Sequence, residues 1–283
     1  MVGTSQGTVI QFARDLAARL GEIDGVIAVV LGGSWARGAG TPTSDIDLGI
    51  YYDSEHRPSL EALRALAAEI DDRHSSEIVT NYGDWGTWID GGAWMEIGGR
   101  RVDWLYRNFQ NISRFVEECR AGQTMMHYQP GHPHGFPTYL YMGEVFYCVP
   151  LYDPAGKLAE LKAQTSPYPA LLKQSLLNHN LWEAGFAIDT ARKSAARGDV
   201  YYVSGALFRS SSCMIQALYA LNETYWINEK GSLQKADSFE KSPIGFGARV
   251  SELLGEIGSD PATLESTLAA FEELVAEVRT LAK

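Results

Sequence analysis

A glycine turn followed by two alternating aspartates is the feature of this sequence with the clearest chemical meaning. An apolar run ends at Gly32, Gly33 and Ser34, and Asp45 and Asp47 follow in an alternating stretch. Glycines let the backbone approach a ligand closely and expose N–H groups to it, and the Ser34 hydroxyl can donate to a phosphate oxygen. The pattern indicates a phosphate cradle beside a divalent-metal site.

The spacing of the two aspartates favours a metal over a purely structural role. The stretch that holds them alternates, so it predicts a strand with Ile46, Leu48 and Ile50 in the core and Asp45 and Asp47 on the other face. Residues two apart on a strand are separated by roughly 6 to 7 Å of rise. Two unit charges at that distance repel by roughly 2.5 kcal/mol at an effective dielectric of about 20. A bound Mg²⁺, which prefers oxygen ligands, reverses the sign of this interaction.

A third carboxylate is expected on a neighbouring strand. Two strand-like segments flank Gly98 and Gly99 and predict a β-hairpin. Asp103 lies on the second of these strands between apolar neighbours, where an isolated charge is costly to bury unless a metal or hydrogen bonds compensate it. The simpler alternative is an ion pair of Asp103 with Arg101 or Arg107.

These motifs resemble the nucleotidyltransferase superfamily of DNA polymerase β, particularly its two-domain bacterial members that are similar to antibiotic nucleotidyltransferases. The resemblance rests on Gly33-Ser34-Trp35-Ala36-Arg37-Gly38, Ser44-Asp45-Ile46-Asp47-Leu48 and Asp103, and more loosely on residues 143–145, 151–154 and 228–231. It implies transfer of a nucleoside monophosphate from an NTP to an acceptor hydroxyl, with pyrophosphate leaving. Trp35 departs from the family pattern, in which a polar or basic residue is common.

The resemblance also implies roles for individual residues. Asp45, Asp47 and Asp103 would be the catalytic and metal-binding residues, holding two Mg²⁺ ions that stabilise the attacking and leaving oxygens. ATP is the expected NTP. Its phosphates would be bound by a set of backbone amides, hydroxyls and cationic side chains, namely Gly32, Gly33, Ser34, Arg37, Ser44 and Lys230.

Several residues allow two interpretations. Lys230 either reaches the triphosphate or lies near a helix end capped by Gly231. Glu144 either contacts the acceptor or pairs with an arginine. The remaining candidates are loop histidines, for which a stabilising role is favoured over metal binding, and tryptophans that could stack on a nucleobase but more often line a core or cleft, namely His127, His132, His134, Trp85, Trp88, Trp94 and Trp104.

Composition restricts the partners. The 283-residue chain has a formal net charge of −11 and a sequence pI near 5.0. Tight binding to nucleic acid needs clustered Lys and Arg, so the sequence argues against it, whereas a cationic acceptor is compatible. Three cysteines without paired spacing favour reduced thiols in a cytoplasmic protein, and no apolar run approaches membrane-spanning length.

The pattern along the chain predicts an α+β, or mixed α/β, fold in two domains. Residues 1–165 alternate helix and strand signals, including a short strand at 77–81, and form the expected catalytic domain with a mixed sheet flanked by helices. Residues 166–283 show long helical periodicity and predict an α-helical bundle that binds the acceptor. The sequence leaves the oligomeric state open, a homodimer included.

Three functions are consistent with these expectations. The preferred acceptor is a small hydroxylated compound, such as an aminoglycoside-like or lincosamide-like antibiotic. The second possibility is nucleotidylation of a protein partner, as in antitoxin-like relatives. The third is a nucleotide-binding regulatory module without catalysis, against which the retention of all three aspartates argues.

Overall fold

A computed structural model describes residues 5–283, which divide into two units. The first unit contains the residues up to Glu117 together with two later segments, 128–131 and 141–167. The second unit contains residues 118–127, 132–140 and 168–283. The boundary predicted from the sequence, at residue 165, would assign residues 118–127 and 132–140 to the first domain. In the structure both segments belong to the second unit, whose other residues, 168–283, lie much later in the sequence.

The protein has the α+β fold that the sequence predicts. In chain order the strands are β1 (Val26–Leu31), β2 (Ile46–Tyr52), β3 (Gly92–Ile97), β4 (Arg100–Asn108), β5 (Met126–His127), β6 (Phe136–Pro137) and β7 (Val149–Tyr152). The helices are α1 (Gln6–Gly21), α2 (Gly33–Ala36), α3 (Leu60–Ile70), α4 (Phe109–Arg120), α5 (Leu140–Tyr147), α6 (Lys157–Ala163), α7 (Ala170–Ala195), α8 (Val200–Leu221), α9 (Ser232–Asp237), α10 (Phe246–Gly255) and α11 (Pro261–Leu281).

A five-stranded mixed sheet, in the order β3-β4-β2-β1-β7, organises the first unit. β2 and β4 are parallel, and the other neighbouring strands are antiparallel. Ile46, Leu48 and Ile50 of β2 are almost fully buried on one face of this sheet, which confirms the alternation predicted for that stretch. The opposite face, which we call the outer face, carries Asp47 at the start of β2 and the buried Tyr51 farther along the strand.

The core face of the sheet is covered by helices whose apolar residues recur at helical spacing. On α1 these residues include Val9, Ala13 and Leu16, and they join the cluster that contains the inward side chains of the sheet. Ser5 caps α1 by accepting a hydrogen bond from the Thr8 N–H at 3.3 Å. The sheet is therefore supported from its core face.

The predicted hairpin is present, and its turn is fixed by backbone geometry. Gly98 and Gly99 have φ of 57° and 70°, a left-handed conformation that strongly favours glycine. The Asp72 carboxylate accepts hydrogen bonds from both of their N–H groups, at 2.9 and 2.8 Å. This turn sets the register between β3 and β4.

The short strand predicted over residues 77–81 is absent. That segment contributes an isolated bridge between Val79 and Ala93. The side chain of Thr80 explains part of the difference, because its hydroxyl bonds both the N–H and the carbonyl of Gly92. Hydrogen bonds from the Thr80 side chain thus replace part of the backbone hydrogen bonding that a strand would form with β3.

The second unit is mainly helical, as the periodicity of the C-terminal half predicts. α8 is continuously buried from Ser210 to Leu221, and α7 buries small residues such as Ala184 and Ala191. The Ser210 hydroxyl donates to the Ala184 carbonyl at 2.9 Å, so the two helix backbones approach closely. A two-stranded sheet of β5 and β6 belongs to the same unit.

We expect Gly92→Ala to destabilise the first unit severely. A Cβ at this position would lie 1.8 Å from the Trp104 carbonyl oxygen, so β3 would have to move away from β4. The free energy of unfolding in urea should fall by more than about 2 kcal/mol. Gly205→Ala on α8, where a Cβ meets open space, is the control and should stabilise the chain by up to about 1 kcal/mol. Equal stabilities of the two variants would contradict the packing described for β3.

Candidate active site

Asp47 and Asp103 lie side by side on the outer face of the sheet. They are register partners on the parallel strands β2 and β4, whose spacing brings neighbouring residues to about 4.8 Å. Both carboxylates are half-buried, whereas the adjacent Ile46 and Val102 point into the core. The structure therefore brings together two of the three aspartates that the sequence singles out.

The third aspartate, Asp45, lies just before β2 and is paired with Arg101. The Arg101 Nε is 2.6 Å from the Asp45 Oδ1, and the same guanidinium donates to the Thr43 carbonyl at 2.6 Å. Arg101 thus contacts Asp45, and Arg107 contacts Glu144. Asp45 is near enough to Asp47 to raise its pKa.

The glycine turn packs directly on Asp47. The Gly32 N–H donates to the Asp47 carbonyl at 2.8 Å, and Gly33 has φ of 59°. A Cβ on Gly33 would lie 1.7 Å from the Asp47 Oδ2, whereas one on Gly32 would be 3.7 Å from the Asp47 Cβ, an ordinary contact. Gly33 is therefore required both by its backbone conformation and by the carboxylate beside it.

Three further residues that the sequence singles out lie around this turn, namely Ser34, Arg37 and Ser44. Ser34 lies in the first turn of α2 and is half-buried, and exposed Arg37 donates from Nε to the Gly33 carbonyl at 3.3 Å. The Ser44 hydroxyl accepts from the Thr41 N–H at 3.0 Å and so shapes the loop before Asp45. Ser34 and Arg37 are thus positioned beside the glycines, while Ser44 holds the approach to β2.

The Trp35 side chain is buried in the packing of a loop and does not lie on the outer face. Its side chain is 4% exposed, and a Cβ on Gly40 would lie 2.2 Å from its ring. Its Nε1 donates to the Ser44 carbonyl at 3.4 Å. The departure from the family pattern at this position therefore serves the packing of the loop between α2 and β2.

The crowding of acidic groups changes the protonation of Asp47. Burial, followed by the neighbouring Asp103 and Asp45 carboxylates, raises the pKa of Asp47 to about 7. Arg107 opposes this shift, since a positive charge stabilises the ionised carboxylate. Near neutral pH the site therefore holds negative charge that a cation would stabilise.

These residues fit a divalent cation in part. Across residues 5–283 no group of three or more His, Cys, Asp or Glu side chains is arranged to hold a metal ion. Asp47 and Asp103 nevertheless offer adjacent carboxylates beside a turn that leaves no room for a Cβ, and Asp45 lies next to them against Arg101. Mg²⁺ is commonly bound by one or two carboxylates with phosphate oxygens and waters completing the shell. The donor set suits such an ion together with a nucleotide.

Glu144 belongs to a buried ion pair. Its two oxygens accept from the Nε and Nη2 of Arg107 at 2.9 and 2.8 Å, and Arg107 is 6% exposed. Burial alone would lower the pKa of Arg107, but the Glu144 carboxylate raises it above its usual value. Of the two interpretations of Glu144, the structure shows the arginine pair.

Lys230 and the loop histidines lie in the second unit. Lys230 is exposed, and its N–H donates to the Asn228 Oδ1 at 3.1 Å, while Gly231 precedes α9 at its N-terminal end rather than capping a C-terminus. His132 lies 3.7 Å from Glu229. His134 is buried, and burial lowers the pKa of its imidazole to about 4, which keeps it neutral. The role of Lys230 at a triphosphate stays a prediction.

Sequence reasoning missed a pocket beside the aspartates. A cavity of about 370 Å³ on the outer face is lined by Asp45, Arg73, Trp94, Met95, Glu96, Arg101 and Asp103. The signal was present in the hairpin, because counting outward from the Gly98-Gly99 turn pairs Glu96 with Arg101 and Trp94 with Asp103. Arg73 carried no such signal, since its position depends on a loop.

Comparisons with known proteins agree with this geometry. Residues 13–82, which include the glycine turn and the two alternating aspartates, match the family model described as a nucleotidyltransferase domain. Residues 140–230 match the model of a domain of unknown function, DUF4037. The N-terminal part of the chain is therefore similar to nucleotidyltransferase domains, as the resemblance of its motifs implied.

Comparisons with solved structures and with curated proteins give no further indication of function. A nucleotidyltransferase-like protein from Exiguobacterium sibiricum is 12% identical, with a TM-score of 0.44 over 96% of this chain and 74% of that one, and this likeness carries no argument. A search of curated proteins finds no match. Between residues 5 and 283 there is no helix with the length and apolar character needed to cross a membrane.

We expect Gly33→Ala to disrupt the site. The new Cβ would collide with the Asp47 carboxylate and hold alanine in a left-handed conformation, so the free energy of unfolding should fall by about 2 kcal/mol or more. Gly32→Ala introduces the same methyl group one residue earlier, at ordinary contact distance, and is expected to cost less than about 1 kcal/mol. Chemical denaturation measures both, and a reversed order would refute this description of the turn.

Asp47 also makes the stability of the metal-free protein depend on pH. Its pKa in the folded state is about 7, above the ordinary value of 3.8, so the folded chain retains a proton that the unfolded chain releases. The free energy of unfolding should therefore fall as the pH rises from about 4 to about 8. At pH 8 in EDTA, Asp47→Asn should be more stable than the wild type by about 2 kcal/mol, allowing for partial exposure.

Thermal unfolding from pH 5 to 8 measures this effect, with the exposed Asp15→Asn as the control. Adding Mg²⁺ should reduce the difference in thermal stability between the wild type and Asp47→Asn at pH 8. A wild type whose stability rises through this interval relative to Asp47→Asn would show that Asp47 is not crowded by negative charge.

Proposed function

We propose that the first unit transfers a nucleoside monophosphate from an NTP to a hydroxyl group of a small-molecule acceptor. The observation that carries this proposal is the register of Asp47 with Asp103 beside a glycine turn that touches the Asp47 carboxylate. The match of residues 13–82 to nucleotidyltransferase domains supports it. The expected donor is ATP with Mg²⁺.

On the donor side, the glycine turn would hold the phosphates that leave. α2 begins at Gly33, so the N–H groups of its first turn and the Ser34 hydroxyl are available to phosphate oxygens. Arg37 folds back to the Gly33 carbonyl and would add a positive charge there. These groups would orient the pyrophosphate and stabilise the charge that develops on it.

On the carboxylate side, Asp47 and Asp103 would hold Mg²⁺, and Asp45 would join them. When bound, two such ions stabilise the attacking and the leaving oxygens of an in-line displacement. Asp103 lies on the side of Asp47 away from the glycine turn, since β4 and β1 flank β2 on opposite sides. It would therefore be near the attacking hydroxyl and would accept its proton.

A small molecule is the acceptor that the pocket favours. A volume of about 370 Å³ is at the small end of ligand pockets, which hold a compact molecule more readily than a folded partner. The pocket contains three carboxylates, Asp45, Glu96 and Asp103, and two guanidiniums, Arg73 and Arg101. This balance and the net charge of −11 favour a neutral or cationic acceptor over an anionic one.

We expect Asp103→Asn to lower nucleotidyl transfer by about 1000-fold or more, because the substitution removes a metal ligand and a proton acceptor. The measurement is transfer of label from α-labelled ATP with Mg²⁺ to a panel of hydroxylated small molecules and, separately, to cell lysate. Asp15→Asn, at an exposed position of α1, is the matched control and should retain wild-type transfer.

The destination of the label decides between acceptors. Label in a small molecule supports the proposal, whereas label in a protein band would replace the acceptor with a polypeptide. Binding of ATP with no transfer to any acceptor would indicate a regulatory module. Transfer by Asp103→Asn at the wild-type rate would contradict the role of Asp103 as a metal ligand and proton acceptor.

A further inference from the structure

Trp94 occupies an unusual position at the edge of the candidate active site. It is level with Asp103 across the β3–β4 hairpin, and Asp103 is level with Asp47 across β4 and β2. The three side chains thus form one row on the outer face, with steps of about 4.8 Å between strands. The indole is the end of that row farthest from the glycine turn.

The indole is exposed but held in place. Trp94 is 61% exposed, and one ring face stacks on Trp85 with centroids 4.5 Å apart and planes at 19°. The backbone beneath it is fixed by Arg73, which donates to the Trp94 carbonyl at 2.9 Å and forms a two-point ion pair with buried Asp71. A flat apolar surface is therefore presented to solvent without covering side chains, which is typical of a binding surface.

Hydrogen-bonding groups surround this flat surface. Glu96, exposed two residues after Trp94, is the register partner of Arg101, and both line the same cavity as Trp94 and Asp103. Each arginine of the cavity contacts a carboxylate, Arg73 with Asp71 and Arg101 with Asp45. The cavity therefore combines an apolar platform with a polar rim that carries no excess of positive charge.

The geometry of the proposed reaction places the acceptor at the Trp94 end of this row. In an in-line displacement the attacking oxygen enters opposite the leaving group. If pyrophosphate leaves over the glycine turn beside β1, the acceptor approaches from the β4 and β3 side, where Trp94 lies. This step rests on the proposed function.

We propose that Trp94 and Glu96 form the acceptor subsite and that the acceptor is a pyranose-type ring stacked on the Trp94 indole. Such a ring has one apolar C–H face, which suits the indole, and a rim of hydroxyls, which suits Glu96 and Arg73. Stacking places one ring hydroxyl beside Asp103. Trp94 then selects the acceptor and leaves the donor nucleotide unaffected.

Saturation-transfer NMR with methyl α-D-glucopyranoside tests this proposal on the full chain, in the presence of Mg²⁺ and a nonhydrolysable ATP analogue. The ring C–H protons of the glucoside should receive saturation from the wild type. Trp94→Ala should weaken glucoside binding by about tenfold, as expected for one lost stacking contact, while Trp94→Phe should retain most of it. Affinity for the ATP analogue, measured by calorimetry, should be unchanged in both variants.

Trp182→Ala is the matched control, because Trp182 is 58% exposed and stacks on Phe186 in the second unit much as Trp94 stacks on Trp85. The control should keep the glucoside signal. A glucoside that does not bind, or that binds equally to Trp94→Ala, would overturn the subsite. A Trp94→Ala variant with about tenfold weaker binding of the ATP analogue would also overturn it by placing the nucleobase on the indole.

The same experiment separates this inference from the proposed function. Failure of the wild type to bind the ATP analogue with Mg²⁺ would count against nucleotidyl transfer itself. Normal analogue binding without a Trp94-dependent glucoside signal would count against the acceptor subsite alone.

Discussion

Electrostatic crowding of carboxylates at the start of β2 is the constraint on which this account depends. Asp47 is held between the glycine turn and Asp103, and Asp45 is close enough to add to the repulsion. The chain places these groups together although the resulting pKa of Asp47 is about 7 rather than 3.8. A purely structural role gives little reason for such an arrangement, whereas a bound divalent cation would turn the repulsion into attraction.

The sheet enforces the crowding. Parallel pairing of β2 with β4 fixes Asp47 opposite Asp103, and a shift of either strand by one residue would turn its own carboxylate toward the core. The core prevents that shift, because Ile46, Leu48 and Val102 are almost completely buried on the other face. Hydrophobic packing on one side of the sheet thus positions the charged groups on the opposite side.

Local patterns predicted the elements that carry the site. The alternation in β2 identified its core face, and the Gly98-Gly99 pair identified the hairpin, because both signals depend on neighbouring residues. The resemblance of the motifs anticipated the match of residues 13–82 to a nucleotidyltransferase domain. The sequence was thus most informative where side-chain alternation and turn chemistry decide the structure.

Contacts between distant segments were harder to predict. Nothing local indicates that Arg101 contacts Asp45, that Glu144 pairs with Arg107, or that residues 132–140 pack with the helical unit. The segment 77–81 was wrongly predicted as a strand, since the bonds from Thr80 to Gly92 depend on a partner twelve residues away. The family motif likewise gave no indication that Trp35 is buried.

The most direct test of the central claim is a side-chain carbon NMR titration of Asp47 in the protein labelled at its aspartate carboxyls, assigned with Asp47→Asn. Without divalent ions the Asp47 carboxyl should titrate with a pKa near 7, and Mg²⁺ with a nonhydrolysable ATP analogue should move this pKa downward by about two units or more. An Asp47 carboxyl that titrates near its ordinary value in the metal-free protein, or that does not respond to Mg²⁺ and nucleotide, would contradict the account.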